Sequence, residues 1–332
     1  MRRIGLLELD GHQGVILEGI TKRDDVCLAA VSSDRPEALD AVRKHPAATP
    51  ETHAYADWRE LLDTEDLEVV VICSMNSLHV PMIQAACEHK LHIISEKPLA
   101  ISLDGLTEAR RAVASAGVRL TMLLTMRFTP CFRVVRQAVR DARIGKPILA
   151  NALKSYRLGD RPLWQRQHET YGGTIPFVNI HSIDLLRWTT GCEFVECQAY
   201  HGNAGTEAAG DMEDHAAVLL RMANGGLAVS QQDYLRPAAA DTHGQTSLRI
   251  VGSDGLIEVV HNERQVVLTT KTEPIRELDL PAEEDFLGDF LAELDGKGDH
   301  LIDQDDCFRM TEICLRARDA ADTGKAVRLV AS

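Results

Sequence analysis

The stretch Gly5–Gly14, GLLELDGHQG, stands between an apolar run, RIGLLE (3–8), and a helical pattern, VILEGI, that begins at Val15. A strand, a tight turn and a helix in that order open a parallel α/β sheet. The turn is where a dinucleotide-binding protein carries the glycine pattern G-x-G-x-x-G. The first Gly of that pattern permits the turn, the second lets the backbone approach a pyrophosphate, and the third lets the helix pack close. Here the first two places fall on Glu8 and Asp10, while Gly11 and Gly14 remain as small residues. A carboxylate about 5 Å from a phosphate costs on the order of 1 kcal/mol or more. The free N–H groups at the helix start still suit an anion, and His12 is placed to offer one a proton.

The chain beyond this turn decides the fold. Apolar strands recur at VCLAAVS (26–32), LEVVVICS (67–74), LHIISEK (91–97) and RLTMLLT (119–125), separated by helix-length segments with apolar stripes. Near-continuous Val/Ile/Leu strands joined by helices predict a parallel sheet covered on both faces, a doubly wound Rossmann-type α/β domain over residues 1–125. Past residue 125 the pattern changes. Alternating strands such as DHAAVLLRM, LAVSQQD, TSLRIVG and LIEVV, with tight turns at ANGG and SDG, predict an α+β domain over 126–332. Its sheet is expected to be open and mainly antiparallel.

The 332 residues include 45% hydrophobic and 26% charged side chains, the balance of a soluble globular protein. A formal net charge of −14 argues against nucleic acid or an anionic membrane as partner. The apolar runs are strand-length, so no transmembrane helix is expected, and the start lacks the pattern of a signal peptide. The eight cysteines are scattered without a CxxC pair, which points to reduced thiols in a cytoplasmic protein. His168, His181, His201 and His215 share the second domain, but their spacing matches no standard ligand pattern, and no metal site is expected.

SEKPLA (95–100) falls at the C-terminal end of the strand 91–97, where ligands of open α/β sheets bind. SMNSLH (74–79) ends the neighbouring strand and brings Asn76 and His79 to the same edge. In GGTIPFVNIHSID, His181 and Asp184 are three apart and share a helix face. The loop LGDRPLWQRQHETYGG (158–173) is expected to shape a substrate pocket, with Arg157, Arg161, Trp164, Arg166 and Tyr171 as candidates.

Taken in order, DWRELL, NSLH, EKPLA, MRFTP, GKPILA, GG…H..DLLRWTTG, EDHAAVLLRMANG and ADTGKAVRL resemble the glucose–fructose oxidoreductase/inositol dehydrogenase/MocA (Gfo/Idh/MocA) oxidoreductases over nearly the whole chain. The resemblance implies an NAD- or NADP-dependent enzyme and a second domain whose open sheet mediates homodimers or homotetramers. It gives Lys97 contact with the reacting hydroxyl beside the nicotinamide, where a cation favours developing alkoxide character. It gives His181 the general acid/base role, Asn76 a place on the nicotinamide side, and Glu96 a place by the cofactor ribose. Arg127, Trp164 and Phe177 are further substrate candidates. Cofactor candidates are Gly11, His12, Gly14, Asp34, Asn76, His79, Glu96 and Lys97.

Three departures stand out. Phe177 replaces the family's Asp four residues before the His, Met75 replaces a Pro, and Glu8 and Asp10 replace the glycines. At the end of the second strand Ser33, Asp34 and Arg35 pull in opposite directions, Asp34 toward NAD and Arg35 toward NADP. The expected activity is hydride transfer to or from a secondary alcohol of a sugar, polyol or related small molecule, with NAD favoured through Asp34. The competing expectation is a sugar- or nucleotide-binding regulatory protein on the same scaffold. A third is a lyase or glycosidase that keeps its cofactor for transient oxidation.

Overall fold

A computed structural model describes residues 1–205 and 210–329 of the chain. The contacts divide it into two compact units. The first comprises Met1–Leu123 with Asp285–Phe308, and the second Leu124–Glu284 with the residues from Arg309 onward. The sequence suggested one cut near residue 125. The segment 285–308 instead belongs with the first unit, because its helix Phe286–Leu294 buries Phe286, Leu287, Phe290 and Leu291 there.

The first unit alternates β1 (Arg2–Leu7), α1 (Gln13–Thr21), β2 (Val26–Ser32), α2 (Pro36–Arg43), β3 (His53–Tyr55), α3 (Trp58–Thr64), β4 (Val69–Ile72), α4 (His79–Glu88), β5 (His92–Ser95), α5 (Leu103–Ala116) and β6 (Leu120–Met122). All six strands run parallel in the order β3-β2-β1-β4-β5-β6, the doubly wound order expected. Val69, Val70, Val71 and Ile72 are wholly buried because helices cover both faces, which is why the strand reads as an unbroken apolar run. β3 went unnoticed in the sequence. It is three residues long, none of them buried, and it carries no apolar signature. β4 and β5 are shorter than their apolar runs. β5 stops at Ser95 and so releases Glu96 and Lys97 just beyond the sheet's C-terminal edge.

The second unit contains α6 (Pro130–Arg140), β7 (Pro147–Tyr156), α7 (His168–Tyr171), α8 (Ile180–Thr190), β8 (Phe194–Gly202), β9 (His215–Met222), β10 (Leu227–Asp233), β11 (Gly244–Gly252), β12 (Gly255–Val260), β13 (Gln265–Thr270), β14 (Arg276–Leu278) and β15 (Val327–Arg328). The helix Gln304–Thr323 contributes its residues from Arg309. The nine strands lie in the order β14-β13-β12-β11-β7-β10-β9-β8-β15. The β7–β10 pair is parallel and every other pair is antiparallel. β9 alternates exposed and buried residues, as a strand with one covered face must. α8 packs on the covered face and buries nearly all its residues, so its sequence lacks a polar stripe.

Candidate functional site

The loop after β1 keeps the shape of a glycine turn without its glycine. Glu8 takes φ +64°, the left-handed region that glycine enters freely and other residues enter at a cost of about 1–2 kcal/mol. The frame holds it there. Glu8 N–H points to Ser32 Oγ at 3.4 Å, and Asp10 N–H donates to the Cys73 carbonyl at 2.7 Å, carrying the β1–β4 pairing into the turn. Burial first, then the neighbouring charges of Asp34 and Asp10, push the Glu8 carboxyl up to about 7, against the Asp34 N–H and Arg35. Asp10 is also raised, by burial and by Asp34, against the pull of Arg35. Arg35 Nη2 donates to Asp10 Oδ1 at 2.6 Å and to the Leu9 carbonyl at 3.0 Å.

The raised carboxyl makes stability depend on pH. Because the folded pKa of Glu8 lies above its usual 4.5, the native chain holds this proton more tightly than the unfolded one. The stabilisation is complete below pH 4.5 and is lost as pH rises through about 7. Glu8→Gln removes that term. Its melting temperature relative to the wild type should rise between pH 5 and pH 8, and a constant difference would refute the assignment.

At the start of α1, His12 occupies the cap position and its N–H donates to Glu96 Oε1. His12 Nδ1 lies 2.6 Å from the same oxygen. Gly11 N–H goes to Gln13 Oε1 at 3.2 Å. Glu96 comes so close that a Cβ on Gly11 would stand 2.5 Å from its Oε1 and 2.6 Å from its Cγ, so only glycine fits. Gly14 has open space where a Cβ would go and faces solvent. Burial alone would raise the Glu96 carboxyl. The His12 ring and N–H, together with Lys97, outweigh it and hold the group far below the usual carboxylate range.

Lys97 is 2% exposed, its Nζ 4.0 Å from Glu96 Oε2, and its peptide bond to Pro98 is cis. Asn76 is buried at the start of the short helical turn Asn76–Leu78 that follows β4. His79 is placed differently from the expectation of cofactor contact. It is wholly buried, with Nδ1 2.6 Å from the Pro98 carbonyl and Nε2 3.1 Å from the Ser74 carbonyl. Both ring nitrogens are thus engaged by main chain, and His79 braces the end of β4 against the Lys97–Pro98 segment. Asp34 is exposed at the end of β2, beside Glu8.

In the second unit, His181 lies in the first turn of α8 and is 7% exposed. Asp184, three residues on and on the same helix face by sequence, pairs with Arg127. Arg127 Nε lies 3.0 Å and 3.2 Å from the two Asp184 oxygens, and Nη2 lies 2.5 Å from Oδ1. Both residues are buried, so Arg127 anchors α8 from within and is not placed as a surface for substrate. Phe177 lies on a π-helical turn, Ile175–Asn179, a distortion common at functional positions. Its ring packs at 4.9 Å from Tyr171 and edge-on at 6.1 Å from Trp164. The buried Trp164 indole N–H has no acceptor among the described residues. Two of the loop arginines are tied down locally, Arg161 donating to the Leu158 carbonyl at 2.6 Å and Arg166 to the Arg161 carbonyl at 3.1 Å, while Arg157 Nε is buried without an acceptor among the described residues.

One group escaped the sequence reading. Glu213 is buried and accepts the Thr174 N–H at 2.9 Å, while His168 and His201 approach its Oε1 at 3.1 and 3.2 Å. Burial alone would raise its carboxyl, but His168 and the Thr174 N–H outweigh it and lower the group to about 2, His168 being raised in return. Glu213 thereby fixes the Gly172–Gly173–Thr174 entry into the segment carrying Phe177 and His181. Three separated segments, 168–174, His201 and Glu213, meet there, and only the EDH triplet marked it in the sequence. Among the described residues no group of three or more His, Cys, Asp or Glu is arranged to hold a metal ion. No helix among them is long and apolar enough to cross a membrane, and all eight cysteines are free.

The six-stranded parallel sheet of this order is a Rossmann-type arrangement, with a buried Lys and Glu just past its C-terminal edge. The chain belongs to the Gfo/Idh/MocA family. A family model described as "Oxidoreductase family, NAD-binding Rossmann fold" matches residues 14–124, and one for the GFO/IDH/MocA C-terminal domain matches 132–258. An oxidoreductase structure from Thermotoga maritima superposes with TM-score 0.91 at 32% identity, covering 98% of this chain and 99% of that one. A Bacillus subtilis protein named "Uncharacterized oxidoreductase YrbE" is 35% identical over 52% of this chain and 51% of its own length, so the chain spans about half of that relative. A myo-inositol 2-dehydrogenase of Thermotoga maritima is 28% identical over 80% of this chain and 78% of its own length.

Proposed function

We propose that the protein is an NAD(P)-dependent oxidoreductase transferring a hydride to or from a secondary alcohol of a sugar, polyol or related small molecule. The observation that carries this reading is Lys97, a buried ammonium at the C-terminal edge of β5 with Glu96 beside it. The donors and acceptors present fit a dinucleotide. Glu8 and Asp34 offer acceptors for ribose hydroxyls, Asn76, Glu96 and Lys97 are the residues that the family resemblance assigns to the nicotinamide end, and Gly14 leaves the turn into α1 bare. The cofactor, when bound, supplies the hydride acceptor or donor.

The chain's own groups do the rest. Lys97 favours the alkoxide form of the reacting hydroxyl by a fixed positive charge in a dry place, and His181 is the acid/base group that the family resemblance assigns. Phe177 contributes no proton transfer. Held by Trp164 and Tyr171 behind it, its half-buried ring is an apolar face that suits the C–H face of a sugar or polyol ring. Outward-facing Leu149, Leu219 and Leu227 on neighbouring strands support a homo-oligomer formed through the second sheet.

The test is a titration of NADH and NADPH followed by fluorescence, then a polyol and sugar panel followed at the nicotinamide absorbance. Binding of either dinucleotide with Lys97-dependent oxidation of one panel member is the expected result; absence of binding overturns it. A regulatory binding protein is the second reading, favoured by the Gly11 and His12 N–H groups already meeting Gln13 and Glu96. Under that reading Glu8→Gly/Asp10→Gly creates dinucleotide binding that the natural chain lacks.

A further inference from the structure

We propose that Asp10, in the place of the fingerprint's second glycine, sets coenzyme choice by immobilising Arg35, so that the site takes the dinucleotide with a free 2′-hydroxyl and rejects the 2′-phosphorylated one. The inference rests on the oxidoreductase reading above and concerns the adenosine end of the same site.

A 2′-phosphate brings close to two negative charges and needs a cationic fork to receive it. The end of β2 carries such a fork in Arg35, and its position next to Asp34 invites that role. The guanidinium is committed elsewhere: Nη2 meets Asp10 Oδ1 at 2.6 Å and the Leu9 carbonyl at 3.0 Å, inside the loop after β1. Asp10 is the less exposed partner, with 20% of its side chain accessible against 44% for Arg35. An exposed ion pair alone is weak and would exchange readily. Drawing Arg35 away, however, leaves Asp10 unpaired beside Asp34 and Glu8, and puts the phosphate among all three carboxylates. Both carboxyls of the loop register Arg35 as their favourable charge and Asp34 as an unfavourable one. A free 2′-hydroxyl meets the opposite situation. It donates a hydrogen bond, and Glu8 and Asp34 are acceptors. Asp10 acts through Arg35 and is a positioning residue, distinct from the groups that would touch the ribose.

Binding of NADH and NADPH to the purified full chain is measured by nicotinamide fluorescence and calorimetry, for the wild type, Asp10→Asn, Arg35→Met and the double variant. The wild type should bind NADH at least about tenfold more tightly than NADPH. Asp10→Asn should tighten NADPH by about tenfold while changing NADH by less than about twofold. Arg35→Met should keep or strengthen the wild-type preference for NADH, because it bares Asp10 and removes a cation that was not free to receive the phosphate, and should abolish the gain when added to Asp10→Asn. Equal tightening of both dinucleotides by Asp10→Asn overturns the inference, since Asp10 would then act on the shared pyrophosphate. So does a wild type that prefers NADPH. If neither dinucleotide binds any variant, the oxidoreductase reading itself falls and the inference with it. Circular dichroism of each variant separates these outcomes from misfolding, and the Asp10 main-chain bond to Cys73 persists in Asp10→Asn.

Discussion

Arg127→Met is expected to destabilise the protein by about 3–5 kcal/mol in denaturant titration, the usual cost of removing one partner of a buried ion pair. The reason is what remains. Asp184 is 1% exposed, its carboxylate oxygens both face the Arg127 guanidinium, and no water can reach it to replace that charge. Arg127 also stands 5.7 Å over the Trp188 ring, one helical turn further along α8, so the loss includes packing. The double variant Arg127→Met/Asp184→Leu should recover most of the stability, because a buried pair replaced by apolar side chains of similar size is often neutral or better. A single-variant loss below about 1 kcal/mol, the size of an exposed pair, would mean that this pair is not sealed from solvent.

Lys97→Met should lower the rate of hydride transfer by about 10²–10³-fold, the effect of removing one preorganised charge-stabilising donor. The methionine fills nearly the same volume, so the fold is expected to stand. Glu96 keeps its His12 contacts in the variant, and NADH affinity should therefore change much less than the rate. Stopped-flow absorbance with a turned-over polyol reads the rate, and fluorescence titration reads the affinity. Equal losses in both would make Lys97 a cofactor-binding residue and remove it from the chemistry.

The sequence disclosed the sheet of the first unit because burial on two faces leaves a mark: VVVI cannot be anything but a covered strand or a short buried helix segment, and its length decides. β3 left no mark because its three residues are not buried and its pairing is with the main chain of β2 alone. Lys97, Glu96, Asn76 and His181 were visible as family motifs, but their surroundings were not. The Arg127–Asp184 pair joins residues 57 positions apart, and no local pattern announces such a partner. His79 read as a ligand-side residue because a histidine at a strand end is often one; only three-dimensional packing reveals two carbonyls facing its ring. Glu8 is the inverse case. The turn was expected even without its glycine, but not that Glu8 itself would take the left-handed backbone, which the paired strands around it impose.

The assignment of Asp285–Phe308 to the first unit has a consequence for synthesis. The chain emerges from its N-terminus, yet the first unit lacks the helix Phe286–Leu294 until all of the second sheet except β15 has been made. Leu287 from that helix sits against Gly19 of α1, where an added Cβ would be 2.8 Å away, so α1 waits with an apolar flank uncovered. β7 waits as well, since it ends at Tyr156 while its neighbours begin at Leu227 and Gly244. Vectorial folding of one finished unit after the other is therefore closed to this chain. Any fragment meant to represent the first unit must splice residues 285–308 back onto residue 123.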